Sequence, residues 1–272
     1  MLLPSTVTLS SRCKAQAQFQ RQRRIVSRSR NVLPRIVAKA SETLEAGVQD
    51  AATSELKDRL LKLAAVTCRG SEATTAQRDE AAHLVSQLGE IGNFDSNDLS
   101  GSWQLVMSST FPFRSSPFFW AIGEMMGGTA DFFYSAHEHQ TSLFGVGIGE
   151  VIQTIDLDEE ELVSDVVVKA GLGIPLVGFA PIVSGRGRVI TSASLRLEDG
   201  ASLTVTVKQT ALNGGPEAIL PALNGTTVPV ATAMSALNSG AVPEVTFKTD
   251  FVDDTLRVSS LPDGSWFAYI RQ

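Results

Sequence analysis

The run His137-Glu138-His139 holds the only histidine pair in the sequence. On a strand the two imidazoles would share a face, as metal ligands do, but a zinc site takes three or four protein ligands and no further set stands at a suitable spacing. No metal and no other cofactor is expected. Of two cysteines, Cys13 falls in the N-terminal segment treated below, so Cys68 alone can build neither an intrachain disulfide nor a thiolate cluster. It reads as a buried or idle thiol. Gly185-Arg186-Gly187-Arg188 lacks the strand-to-helix setting and the lysine of a phosphate loop. Asp156-Leu157-Asp158-Glu159-Glu160-Glu161 reads as a solvated acidic turn. There is no Gly-x-Ser-x-Gly elbow, and neither a serine nor the cysteine has an evident base. These residue types point away from catalysis.

Aromatic residues are the other conspicuous resource. Phe111, Phe113, Phe118, Phe119 and Trp120 crowd into ten residues held by Pro112 and Pro117. Aromatics at that density on a loop are either its anchor into a core or a rim that faces lipid. Gly145, Gly147 and Gly149 alternate with Phe144, Val146 and Ile148 and leave one strand face bare. Close packing by a neighbouring backbone and room for a ligand both explain such a face.

The elements that carry these residues show in the hydrophobic period. Leu56, Leu60, Leu61, Leu63 and Ala64 predict a helix from about Ser54 to Thr67. Thr74 and Gln77 have capping-box spacing before the stripe Ala81, Leu84, Val85, Leu88, with Gly89 as the expected stop. From Leu99 the period becomes two. Trp103, Leu105 and Met107 alternate with polar neighbours, and Val189 to Leu197 and Leu203 to Val207 flank an Asp199-Gly200 turn, the clearest hairpin. Further strands are expected at Phe144 to Ile155, Glu161 to Lys169, Glu244 to Thr249, Thr255 to Ser259 and Ser265 to Ile270. Asn213 to Pro243 reads as a long loop with a short helical turn. The fold class expected is mainly β, an antiparallel barrel of about eight strands behind an N-terminal helical pair, because closure removes the exposed edges of so many strands.

Residues 1–41 hold no acid but carry nine bases, from Arg12 to Lys39, among Ser, Thr and Gln. That composition marks an organelle transit peptide, and the stretch Ile36 to Ala40 favours a plastid. The domains expected are a chloroplast transit peptide over residues 1–40, a linker over 41–53 and one conserved domain over 54–272, with processing between Val37 and Ala46. Without the leader the chain has 14 bases against 29 acids, a net charge of −15. No nucleic-acid partner is therefore expected, and strongly anionic membrane surfaces are disfavoured. Val166 to Val183 is interrupted by Lys169, Pro175 and Pro181 and makes no transmembrane helix, so any membrane contact is expected to be peripheral.

Three segments taken together resemble a known family. Gly101-Ser102-Trp103 heads the first strand, Arg114-Ser115-Ser116-Pro117-Phe118-Phe119 follows, and Asp254-Thr255-Leu256-Arg257-Val258 precedes the last strand. In that order they resemble the plastid-lipid-associated proteins, or fibrillins, although Ser260 and Leu261 stand where members often carry a second Arg and a Gly. The resemblance implies a lipocalin-like barrel at plastoglobules or thylakoids that binds or stores apolar plastid lipids (carotenoids, prenylquinones, tocopherols) without catalysis. It implies structural roles for Gly101, Trp103, Arg114, Pro117, Asp254 and Arg257, with Arg257 packed across Trp103. An apolar chain is held chiefly by area removed from water, about 25 cal/mol per Å². The ligand-binding residues expected are therefore Trp103, Leu105, Met107, Phe111, Phe113, Phe118, Phe119 and Trp120. Two other roles remain open: a coat or scaffold of lipid particles without its own pocket, partnered by a lipid-metabolism enzyme, and an enzyme acting on a prenyl lipid.

Overall fold

The computed structural model describes residues 48–92, 94–143, 147–173, 181–198, 200–214, 226–237 and 242–272. The chain divides into two units, Met1–Glu55 and Leu56–Gln272. In the first, residues 48–55 are helical. The expected import signal and most of the expected linker lie outside the described residues.

Helix α1 spans residues 48–66 and so begins before the expected Ser54. Helix α2, Thr75–Ile91, starts on the capping box: the Thr74 hydroxyl accepts from the Gln77 amide while the Gln77 side chain accepts from the Thr74 amide at 2.9 Å. Gly89 does not stop it, and the left-handed cap is Gly92 at φ +41°. Between the helices the backbone turns through positive φ at Cys68, Arg69 and Gly70. A Cβ on Gly70 would stand 2.4 Å from the Ser108 carbonyl oxygen, so only glycine fits that crossing. Cys68 is exposed, not buried.

Among the described residues nine antiparallel strands follow: β1 Gly101–Ser108, β2 Gly147–Asp156, β3 Glu161–Gly173, β4 Pro181–Leu197, β5 Ser202–Asn213, β6 Thr226–Val228, β7 Glu244–Val252, β8 Leu256–Ser260 and β9 Trp266–Arg271. Their order is β4-β3-β2-β1-β9-β8-β7-β5, and β5 pairs back onto β4, so eight strands close a barrel as expected. Short β6 adds to the far end of β5. The barrel has apolar residues on both faces. Leu105, Val151, Leu162, Leu195, Val205, Phe247 and Phe267 belong to the inner cluster. Phe251, Leu256, Val258, Trp266 and Ala268 face outward and pack with Leu60, Leu84 and Leu88 of α1 and α2. Met107 joins this outer cluster, because β1 bulges against β9 between Leu105 and Met107 and loses its phase.

The segment expected to be a loop after β1 is mostly helical. A 3₁₀ turn at Pro112–Ser115 leads into α3, Pro117–Met126, and α4, Ala130–Leu143. Pro117 opens α3 at a position where its missing N–H is not needed. His137 and His139 therefore lie on a helix, not a strand, and two residues apart on a helix do not share a face. The helical turn expected in the long loop is α5, Val230–Leu237, which places Val230 and Met234 in the inner cluster.

Candidate functional site

The base of the barrel is built on Trp103, whose indole N–H donates to the Leu99 carbonyl at 2.8 Å. The cation closest to its ring is Arg271, at 4.3 Å. That guanidinium also donates to the carbonyls of Ser100 (2.9 Å), Asp254 (3.0 Å) and Asp98. Gly101 explains itself here. It sits at φ +136°, and a Cβ on it would stand 2.6 Å from Arg271 Nη1. Asp254 gives only its backbone carbonyl. The carboxylate that shapes this turn is Asp253, which accepts from the Thr255 and Leu256 amides at 2.8 Å each and pairs with Lys57 at 2.7 Å. Burial works against its charge, yet these donors hold its carboxyl below the usual range.

Arg257 lies one layer deeper. Leu256 and Val258 on either side point to the outer cluster, so Arg257 points inward and is 0 % exposed. Its guanidinium lies 4.2 Å from the Tyr269 ring centre and 5.4 Å from that of Trp103. The expected approach to Trp103 is present, but Arg271 makes the closer contact. One Arg257 N–H donates to Gln153 Oε1, and Gln153 Nε2 donates to the Ser115 carbonyl at 2.7 Å. Gln153 also hydrogen-bonds the Tyr269 hydroxyl, but other polar atoms of this layer are unsatisfied. Arg257 Nε and Nη1 and the hydroxyls of Ser164, Thr249 and Ser259 have no hydrogen-bond partner among the described residues. Burial, aided by the Arg271 charge and opposed by Tyr269, pulls the Arg257 pKa down to about 10. Burial likewise pushes the Tyr269 hydroxyl up.

Helix α3 closes the opposite end. Trp120, Ala121 and Ile122 enter the inner cluster, the indole 5.3 Å from the Phe247 ring and 6.3 Å from Phe267. Phe118 packs half-buried against the same cluster. Phe113 and Phe119, 4.7 Å apart, instead grip α4 through His137 at 4.8 and 5.0 Å. Phe111 stacks on Phe113 at 5.5 Å. Arg114 pairs with Asp263 and lies 4.2 Å over the Tyr134 ring, while the Tyr134 hydroxyl donates to the Phe119 carbonyl at 2.8 Å. A groove of about 280 Å³ opens beside this clamp, lined by Arg114, Trp120, Tyr134, Val245 and Asp263 among others.

The expected site residues thus divide by location. Trp103 and Leu105 line the interior, Trp120 and Phe118 plug it, Phe111, Phe113 and Phe119 anchor the plug, and Met107 lies outside the barrel. Gly149 is a close-packing glycine, with Val167 2.9 Å from where its Cβ would be; Gly147 faces open space, and Gly145 lies outside the described residues. Gln153, Tyr269 and Arg271 escaped the sequence reading. Gln153 alone had a signal, a polar residue between Val151 and Ile155 on an inward face. Among the described residues no group of three or more His, Cys, Asp and Glu is arranged to hold a metal ion.

No curated protein and no solved structure matches this chain. One family model does. PAP_fibrillin matches residues 54–269, a span that takes in α2, the plug and every strand of the barrel save the last two residues of β9. Gly101, Trp103 and Arg257 fall within it, Arg271 lies two residues beyond its end, and the chain belongs to the PAP/fibrillin family of plastid-lipid-associated proteins.

Proposed function

We propose that the protein is a non-catalytic carrier of a prenylquinone-like or other apolar plastid lipid, working at the surface of plastoglobules or thylakoids after import into the plastid. One observation carries this reading: the apolar interior of the barrel is closed not by strands but by a separate aromatic helix, α3, held by side-chain clamps to α4 and the β8–β9 turn. A cover of that kind can move while the strands keep their pairing. A barrel of eight strands is the size that encloses one small ligand. Trp103 and Trp120 stand at the two ends of the interior and report on it. A short-chain plastoquinone analogue titrated into the protein should quench their fluorescence saturably, and protein isolated from plastids should yield bound prenyl lipid by mass spectrometry. No quenching and no extracted lipid would defeat the carrier reading. N-terminal sequencing of the isolated protein checks the import boundary, expected between Val37 and Ala46.

A particle-coat role draws support from a different observation. Among the described residues, Ala170–Gly173 of β3 and Pro181–Gly185 of β4 pair only with each other, past the last pairs with β2 and β5. The sequence between Lys169 and Arg186 holds no charged residue. A two-stranded ribbon of that composition suits contact with an apolar lipid surface.

A further inference from the structure

Arg257 presents an unresolved balance inside the barrel. It is 0 % exposed, no carboxylate pairs with it among the described residues, and two of its three guanidinium nitrogens lack an acceptor. Buried cations are ordinarily paired, because desolvating a charge without a partner is among the most unfavourable events in folding. The hydroxyls of Ser259 and Thr249 are also unsatisfied and face each other across β8 and β7, with Ser259 two residues along the strand from Arg257 and on its face. The base of the fold does not explain the residue, because Arg271 already covers Trp103 and ties down the Asp98, Ser100 and Asp254 carbonyls.

Resting on the lipid-carrier function proposed above, we infer that Arg257, Ser259 and Thr249 form a head-group receptor inside the barrel for a lipid carrying a carboxylate, its hydrocarbon tail running toward α3. The chemistry matches in charge and number. A carboxylate has two oxygens and about four acceptor sites, against two bare guanidinium nitrogens and two hydroxyls able to donate. The wall beyond them is hydrocarbon and aromatic: Leu105, Val151, Phe247, Phe267 and the Trp120 plug. The site also reaches its cover, since Gln153 accepts from Arg257 on one side and donates to the carbonyl of Ser115, two residues before α3, on the other. A neutral hydrocarbon such as a carotene leaves all these donors bare. A fatty acid satisfies them.

The test compares oleate with oleyl alcohol, the same chain without the charge, by isothermal titration on the full chain. The unsubstituted protein should bind oleate at least tenfold more tightly than the alcohol. Arg257→Met should abolish that preference and leave the affinity for the alcohol within a factor of two. Ser259→Val with Thr249→Val keeps the charge and should lower oleate affinity severalfold, an independent route should Arg257→Met fail to fold. Equal affinity of the unsubstituted protein for acid and alcohol overturns the receptor while leaving the carrier function standing. Binding of neither overturns both. A preference for oleate that survives Arg257→Met, or that survives the double valine variant when Arg257→Met is unfolded, assigns the acid to another site and refutes the inference.

Discussion

Two arginines one layer apart do different work at the barrel base. Arg271 stacks on Trp103 at 4.3 Å and donates to three backbone carbonyls, so it closes the barrel structurally. A guanidinium over an indole contributes about 0.5–2 kcal/mol depending on desolvation. Trp103→Ala and Arg271→Ala should each destabilise, and a double-mutant cycle in urea should return a coupling of about that size. A coupling near zero there, with a large one between Trp103 and Arg257, would exchange the roles. His137 supplies a pH-dependent effect. It packs against Phe113 and Phe119, and burial lowers its pKa from the usual imidazole value. The unfolded chain therefore takes up the proton first as pH falls. Stability should decline from about pH 6.5 down to the lower folded-state pKa and then level off on this account, and His137→Gln should flatten that portion of the curve, as read by thermal melts between neutral and mildly acidic pH. Trp103 was legible in the sequence because it heads an alternating strand. Arg271 was not, because its partners are backbone carbonyls at Asp98, Ser100 and Asp254, which no residue type announces.

At the level of elements, the legible parts were those fixed by short-range pattern. The capping box of α2, its buried stripe and the β4–β5 hairpin all depend on residues a few positions apart. Helix α3 escaped because Pro117-Phe118-Phe119-Trp120-Ala121-Ile122 is apolar nearly all round. A helix lodged in the mouth of a barrel has no solvent face over that turn, and without one it has no stripe of period 3.6. Met107 was misplaced for a related reason: a bulge shifts the phase of a strand without changing its composition. The plug has a measurable role. Trp120 is buried against Phe247 and Phe267. Truncating a buried tryptophan leaves a cavity and typically removes about 3–5 kcal/mol of stability. Trp120→Ala should lower the urea midpoint accordingly and speed entry of a quinone analogue in stopped-flow quenching of the remaining tryptophans. Slower or unchanged entry would mean that ligand reaches the interior by another route. Phe119→Asp is less informative, because that ring grips α4 through His137 and its loss would unseat the cover itself.

Over the whole molecule, charge and apolar surface are distributed unequally, and this bears on how a particle would be met. Without residues 1–40 the chain carries 14 bases against 29 acids, yet no charge falls between Lys169 and Arg186. Lys169, Arg186 and Arg188 stand at the root of the ribbon that β3 and β4 extend past the barrel, although Arg188 is paired with Asp165. An acidic body repels anionic surfaces, so the ribbon suits a monolayer with neutral head groups over an apolar interior. Basic residues at its root suit the level of the head groups, where long side chains keep their charge in water. Leu172 and Val183 are cross-strand partners in the ribbon. Replacing both with Glu places two charges where the apolar phase would be, and each opposes insertion by up to about 2.5–3.5 kcal/mol at full depth. Even half of that for the pair is more than a tenfold change in partition. Flotation of the protein with triacylglycerol droplets coated in neutral galactolipid should therefore fall by tenfold or more. The circular dichroism spectrum and melting temperature should hold, because these residues lie beyond the strand pairs that close the barrel. Undiminished flotation would move the contact to the α3–α4 face, where Phe132 stands 79 % exposed, and Phe132→Glu would then become the variant that releases the particle.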